Sequence, residues 1–169
     1  GKKDLTLCFF FMVAISLSSV AGNDYKRPIF LEDHLERLAD SLHRLDMESS
    51  FDIDLVGGKI LSFVESQPLE TPYLLRVAVV TERFQLEARS LPPIGPWMEG
   101  SLLPYVRETP EAKSLDDQLY EHVKKLNNSI EEAILLAPDG ELGEAATSNL
   151  IFAKGEVLVA PETKVLPGI

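Results

Sequence analysis

The sequence predicts an α+β fold, with helices and paired strands in separate blocks, and three observations carry that expectation. Leu31, Leu35, Leu38, Leu42 and Leu45 recur at spacings of 4, 3, 4 and 3, one apolar stripe of a helix. The stretches YLLRVAVVT from Tyr73 and FQLEARS from Phe84 read as strands, the first rich in β-branched residues and the second alternating. The last third reads as strands again, with an Asp139-Gly140 turn and a hairpin around Lys154-Gly155. Strict strand-helix-strand alternation, which would signal a parallel sheet covered on both faces, is missing.

Bulk composition narrows the function. The 169 residues are 45% apolar, as in globular proteins, and carry 27 acidic against 16 basic side chains, a formal charge of −11. No basic block interrupts the acidity, so a nucleic-acid partner, whose phosphates need clustered positive charge, is excluded from the expectations. Cys8 is the single cysteine and leaves no internal disulfide. His34, His43 and His122 lie apart, in no spacing that would place two imidazoles on one metal, so no metal site is expected.

Taken in order, the first element is an apolar run from Leu5 to Leu17, preceded by Lys2 and Lys3 and followed by the small residues Ser19-Val20-Ala21. This is the outline of a secretory signal, and it falls short of the roughly 20 apolar residues of a membrane span. A buried strand, or a segment wrongly joined to the coding sequence, are the other readings of 1–27. From Pro28 the leucine stripe begins, with His34, Arg37 and Ser41 on its shoulder. A second helix is expected over Asp54–Glu65, weakened by Gly57 and Gly58. The two strands that follow should pair through a short connection at Glu82-Arg83. Leu91–Pro104 holds four prolines and two glycines and is expected to be a loop linking two lobes, 28–103 and 104–169. Helix resumes near Lys113, with Leu115, Leu119, Val123 and Leu126 on its apolar face. Glu132–Ala137 is a short apolar strand, and Glu144 falls on a turn or strand edge before the last hairpin.

The segment EAILLAPDGELGEAATSNLIFAKGEVLVAPETKVLPGI, Glu132 to Ile169, resembles the class IV, or fold-type IV, pyridoxal-phosphate enzymes. That family includes branched-chain and D-amino-acid aminotransferases and 4-amino-4-deoxychorismate lyase. The likeness lies in an order of parts: strand, Asp-Gly turn, Glu, small residues, Ser-Asn, hairpin, Pro, then Leu-x-Gly-Ile. A second block, IFLEDHLERLADSLHRL from Ile29, is similar to the family's early helix, so the resemblance covers roughly Pro28 to Ile169. Two departures stand out. The family's glycine-rich strand ahead of that helix is replaced by the hydrophobic run, and the chain stops at Gly168-Ile169, where the family continues. The implied architecture is two-lobed, with the second lobe incomplete.

Pyridoxal phosphate needs a lysine to hold its aldehyde and an acid to keep its pyridine nitrogen protonated. Glu144 matches the family's partner of that nitrogen, and Ala145, Ala146 and Thr147 are small enough to let backbone approach a flat ring. Without the flanking motif Glu144 would read as a solvated turn acid. Lys113 lies 19 residues before Glu132 and matches the catalytic lysine, with Asp116 and Asp117 where family members usually carry Asn. Lys124 and Lys125 read better as solvated cations at a helix end. Arg37 matches the arginine that contacts the cofactor phosphate, for which a planar guanidinium is suited. Gly168 and Ile169 match the segment whose backbone amides cradle the same phosphate. Thr147 is a candidate supporting contact, Ser148 and Asn149 serve the hairpin, and Trp97 and Tyr105 read as core packing before substrate cover.

The resemblance therefore implies an aminotransferase acting on an amino acid or keto acid, a homodimer, and an intracellular location at odds with the signal-like start. The same apparatus could form 4-aminobenzoate as a lyase. A catalytically inactive, truncated remnant is the third expectation.

Overall fold

The computed structural model describes residues 6–16, 25–47, 52–68, 73–80, 83–91, 95, 98–112, 117–126, 131–163 and 165. The chain divides into two compact units, one made chiefly of Gly1–Pro93, the other of Ile94–Glu111 and Asp116–Gly168.

In the first unit, β1 (Thr6–Ser16) and β2 (Tyr25–Pro28) precede two helices, α1 (Leu31–Arg44) and α2 (Ile53–Ser66), and β3 (Tyr73–Val80) and β4 (Arg83–Ser90) follow. The four strands pair antiparallel in the order β2-β1-β3-β4. The apolar N-terminal run is thus an interior strand here, aligned with β3 from Thr6 opposite Val80 to Val13 opposite Tyr73. Of the readings open for that run, the strand is the one this sheet contains. Alternate residues of β3, Tyr73, Leu75, Val77 and Val79, point to one face. They form one core with Leu31, Leu38 and Leu42 of α1 and Val56, Ile60 and Val64 of α2.

The leucine stripe of α1 is rotated slightly from its expected centre. His34 and Ser41 go in with Leu38 and Leu42, while Leu35 and Leu45 are only partly buried. Ser41 meets the cost of burial by donating its hydroxyl to the Arg37 carbonyl at 2.8 Å. The start of α2 is capped by Asp52, whose Oδ1 accepts from the amides of Asp54 at 3.0 Å and Leu55 at 3.2 Å. Gly57, expected only to weaken this helix, has a packing reason: a Cβ there would lie 3.0 Å from Leu35 Cδ1. Gly58 faces open space.

The second unit contains β5 (Gly100–Pro104), α3 (Asp117–Val123), β6 (Glu132–Leu136) and β7 (Leu142–Ala145), then a separate hairpin of β8 (Phe152–Lys154) and β9 (Val157–Val159). β5 corrects the sequence reading, since the end of the supposed loop is an edge strand running parallel to β6, Gly100 opposite Glu132 and Pro104 opposite Leu136. Proline hid it; Pro104 is the last residue of an edge strand, where a missing amide costs no ladder bond. The link from β5 to β6 carries α3, as a parallel pair requires. β6 turns into antiparallel β7 through Pro138–Gly140, with Gly140 at φ 85. Leu103, Leu119, Ala133 and Leu135 form the core, joined by Val123 and Leu126 of the expected α3 stripe; Leu115 lies outside the described residues. The last hairpin turns at Lys154-Gly155 as expected, and Ile151, Phe152, Val157, Leu158 and Val159 are all exposed. No helix among the described residues is long and apolar enough to cross a membrane.

Candidate active site

Glu144 is positioned by an irregularity in β7. Ile134 pairs with Ala145 and Leu136 with Leu142, so β7 uses one residue more than β6 between the two pairs. Such a bulge breaks the alternation of sides and re-aims a side chain. Gly143, Glu144 and Ala145 are consequently all buried in succession. Glu144 retains 5% exposure, too little for a solvated turn acid.

A buried carboxylate must be matched, and the match comes from a residue the sequence reading did not single out. Arg107 Nε lies 2.8 Å from Glu144 Oε1, with the two side chains 15% and 6% exposed. Arg107 Nη2 also donates to the Ala146 carbonyl at 2.7 Å. Arg107 follows β5 in a stretch without motif, and its partner is far along the chain; only the tertiary pairing of β5, β6 and β7 brings them together. Beside this pair lies a second buried acid, Glu132. Its carboxylate accepts from the Ala133 amide at 3.0 Å, the Thr147 amide at 3.3 Å, the Ser148 hydroxyl at 2.7 Å and the Thr147 hydroxyl. The small residues after Glu144 therefore hold geometry as well as leaving room.

Arg37, in the first unit, is partly buried on α1, and burial lowers its pKa below the ordinary arginine value. Its Nη2 lies 3.3 Å from His34 Nδ1. Guanidinium can only donate, so in this contact Nδ1 is the acceptor. His34 thereby helps to orient the arginine.

Arg37 and Glu144 belong to different compact units, and each is described within its own. Lys113, Gly168, Ile169 and Trp97 lie outside the described residues. Lys124 reads as the surface cation expected, 3.0 Å from Glu121 and 4.2 Å above the Tyr120 ring. Tyr105 packs against the second core, its ring 5.4 Å from that of His122. Among the described residues no three His, Cys, Asp or Glu side chains gather to hold a metal.

The donor set suits pyridoxal phosphate in two places. A buried carboxylate flanked by Gly143, Ala145 and Ala146 can accept from a protonated ring nitrogen. A partly desolvated guanidinium, oriented by a neighbouring imidazole, can grip a phosphate.

Comparison with known proteins agrees with this chemistry. The profile of amino-transferase class IV matches residues 23–169. A search of curated protein sequences returns no match. Among solved structures, a protein of Legionella pneumophila subsp. pneumophila str. Philadelphia 1, provisionally assigned as a 4-amino-4-deoxychorismate lyase, superposes with TM-score 0.76 at 15% identity, over 98% of this chain and 66% of that one. Branched-chain amino acid aminotransferase from Thermobaculum terrenum in its PLP form gives TM-score 0.72 at 17% identity, covering 97% and 61%. The 4-amino-4-deoxychorismate lyase of Pseudomonas aeruginosa gives 0.66 at 19%, covering 96% and 64%. The chain thus spans about two thirds of the length of these structural neighbours. At such identities the superpositions establish the fold-type IV architecture, and together with the profile match they establish that this chain belongs to the amino-transferase class IV family, whose members depend on pyridoxal phosphate.

Proposed function

We propose that this chain carries the cofactor site of a pyridoxal-phosphate-dependent aminotransferase acting on an amino acid or a related amine. The observation that carries the reading is the buried Glu144 carboxylate on the β7 bulge, paired with Arg107 and bordered by small residues. When bound, the cofactor supplies an electron sink for the pair released at the substrate α-carbon. Glu144 holds the proton at the ring nitrogen. Arg107 pairs with that carboxylate and fixes it in a site from which water is largely excluded. Arg37, aided by backbone amides at Gly168 and Ile169, binds the phosphate. The Lys113 amine anchors the aldehyde and then carries the proton to and from the substrate α-carbon. Amino-acid and keto-acid substrates and a homodimer complete the proposal.

The test is spectroscopic. Purified protein incubated with pyridoxal phosphate should keep a visible absorbance band through desalting, lose it on borohydride treatment with the label on Lys113, and show an altered band in Glu144→Ala. Label on Lys124, or an unaltered band in Glu144→Ala, overturns the assignment. A second reading, 4-amino-4-deoxychorismate lyase, is favoured by the superposition on the Pseudomonas aeruginosa enzyme of that name. Release of 4-aminobenzoate from aminodeoxychorismate, without exchange between amino and keto acids, would select it.

A further inference from the structure

Glu132 opens β6 as a buried carboxylate, and its four acceptor contacts are all to neutral donors of its own unit: the amides of Ala133 and Thr147 on Oε1, the hydroxyls of Thr147 and Ser148 on Oε2. Burying a carboxylate without a cation is costly, and so full a set of donors is what makes it tolerable. The donors on Thr147 and Ser148 belong to the turn that directly follows Glu144. The backbone of that turn is used in three further directions. The Ala146 amide donates to the Ala133 carbonyl at 2.7 Å, the Ala145 amide to the Ser148 carbonyl at 2.9 Å, and the Ala146 carbonyl accepts from Arg107 at 2.7 Å. Arg107 therefore has two anchors: Glu144 itself, and a carbonyl whose position depends on the grip of Glu132.

We infer that Glu132 is a positioning residue. By clamping Thr147 and Ser148 it fixes the Ala146 carbonyl, which aims Arg107 at Glu144 and so sets the orientation of the Glu144 carboxylate. The consequence for cofactor binding rests on the reading of Glu144 as the ring-nitrogen partner; the control of Arg107 does not.

Three variants separate the contributions. Glu132→Leu removes every acceptor. Thr147→Val/Ser148→Ala removes the hydroxyl donors at exposed positions and leaves Glu132 in place. Glu132→Gln can still accept from both amides and donate to both hydroxyls, so it is the conservative rescue. Without cofactor, NMR reads the exchange of the Ala146 and Thr147 amides and the Nε–H resonance of Arg107. With added pyridoxal phosphate, titration reads affinity and the absorbance maximum. Glu132→Leu and the double variant should speed amide exchange about tenfold or more, move the Arg107 resonance to that of a solvated arginine, and weaken cofactor binding about tenfold, the scale on which outer partners support a binding group. Glu132→Gln should stay near the wild type in all three. Wild-type exchange and a wild-type Arg107 resonance in the double variant overturn the inference, and this variant decides alone if Glu132→Leu does not fold. If the wild type binds no pyridoxal phosphate, or Glu144→Ala leaves the absorbance unchanged, the ring-nitrogen reading fails while the Arg107 resonance still decides the positioning role.

Discussion

The two compact units solve burial in opposite ways. In the first, the core is a face of β3 closed by α1 and α2, almost wholly hydrocarbon, and its energy is spread over many side chains of similar worth. In the second, a small apolar cluster around Leu103, Leu119 and Leu135 sits on the same short sheet that buries Glu132 and Glu144 and half-buries Arg107. Such a site concentrates its energy in a few contacts that must all be made at once. The lesson is that the first unit should degrade gradually under substitution, and the second abruptly at named positions.

Two substitutions test the contrast at its largest. Leu75→Ala, in the first core, should cost about 3 kcal/mol through lost burial and a cavity, and no second substitution nearby should recover it. Arg107→Met should cost about 3 kcal/mol as well, because it removes the cation 2.8 Å from a buried carboxylate. Here the double variant Arg107→Met/Glu144→Met should recover most of the loss, since a matched apolar pair is cheaper than a buried carboxylate that has lost its cation. Chemical denaturation of the single and double variants measures both; a double variant no better than Arg107→Met would remove the distinction.

A smaller effect exposes a polar flaw of the apolar core. The Tyr73 hydroxyl is buried without a hydrogen-bond partner, and burial raises its pKa above the usual 10.0. A raised folded-state pKa gives stability that is whole below the unfolded value and is lost as pH climbs through the folded one. Tyr73→Phe should therefore gain up to about 1 kcal/mol at neutral pH and abolish the alkaline loss. Thermal melts from pH 7 to 11 would show whether the two curves diverge on the alkaline side.

The smallest expected effect lies within a single helix. Gly58→Ala should stabilise by about 0.5–1 kcal/mol, because open space faces the new methyl. Gly57→Ala should fall short of that gain, since Leu35 must move to admit its Cβ. Equal gains in the two variants would show that the α1–α2 contact is looser than the geometry implies.

How far the sequence could be read follows the same division. The leucines of α1 and the alternation of β3 announce themselves because helix and strand faces repeat at fixed intervals. Glu144 stands out as a candidate through the order of motifs around it, and Arg37 through its place in the early helix. Arg107 does not, because an ion pair between distant segments has no period and leaves no local mark. β5 was obscured for a related reason: its five residues are too few to show alternation, and its closing proline mimics a loop. His34 was legible in position and not in role, since its imidazole gains meaning only beside the guanidinium it contacts.

The extra residue in β7 bears on how this segment can change in length. Insertions and deletions are ordinarily absorbed at hairpin ends, and the turn at Pro138–Gly140 has room for them. Between Leu142 and Ala145 the arithmetic differs. Deleting one residue there would restore regular alternation, turn the acid to the opposite face and leave the half-buried Arg107 without its carboxylate. Any chain that keeps this site must keep that odd count, so a fixed spacing between the Asp-Gly turn and the acid would be a better sign of an intact site than the acid alone.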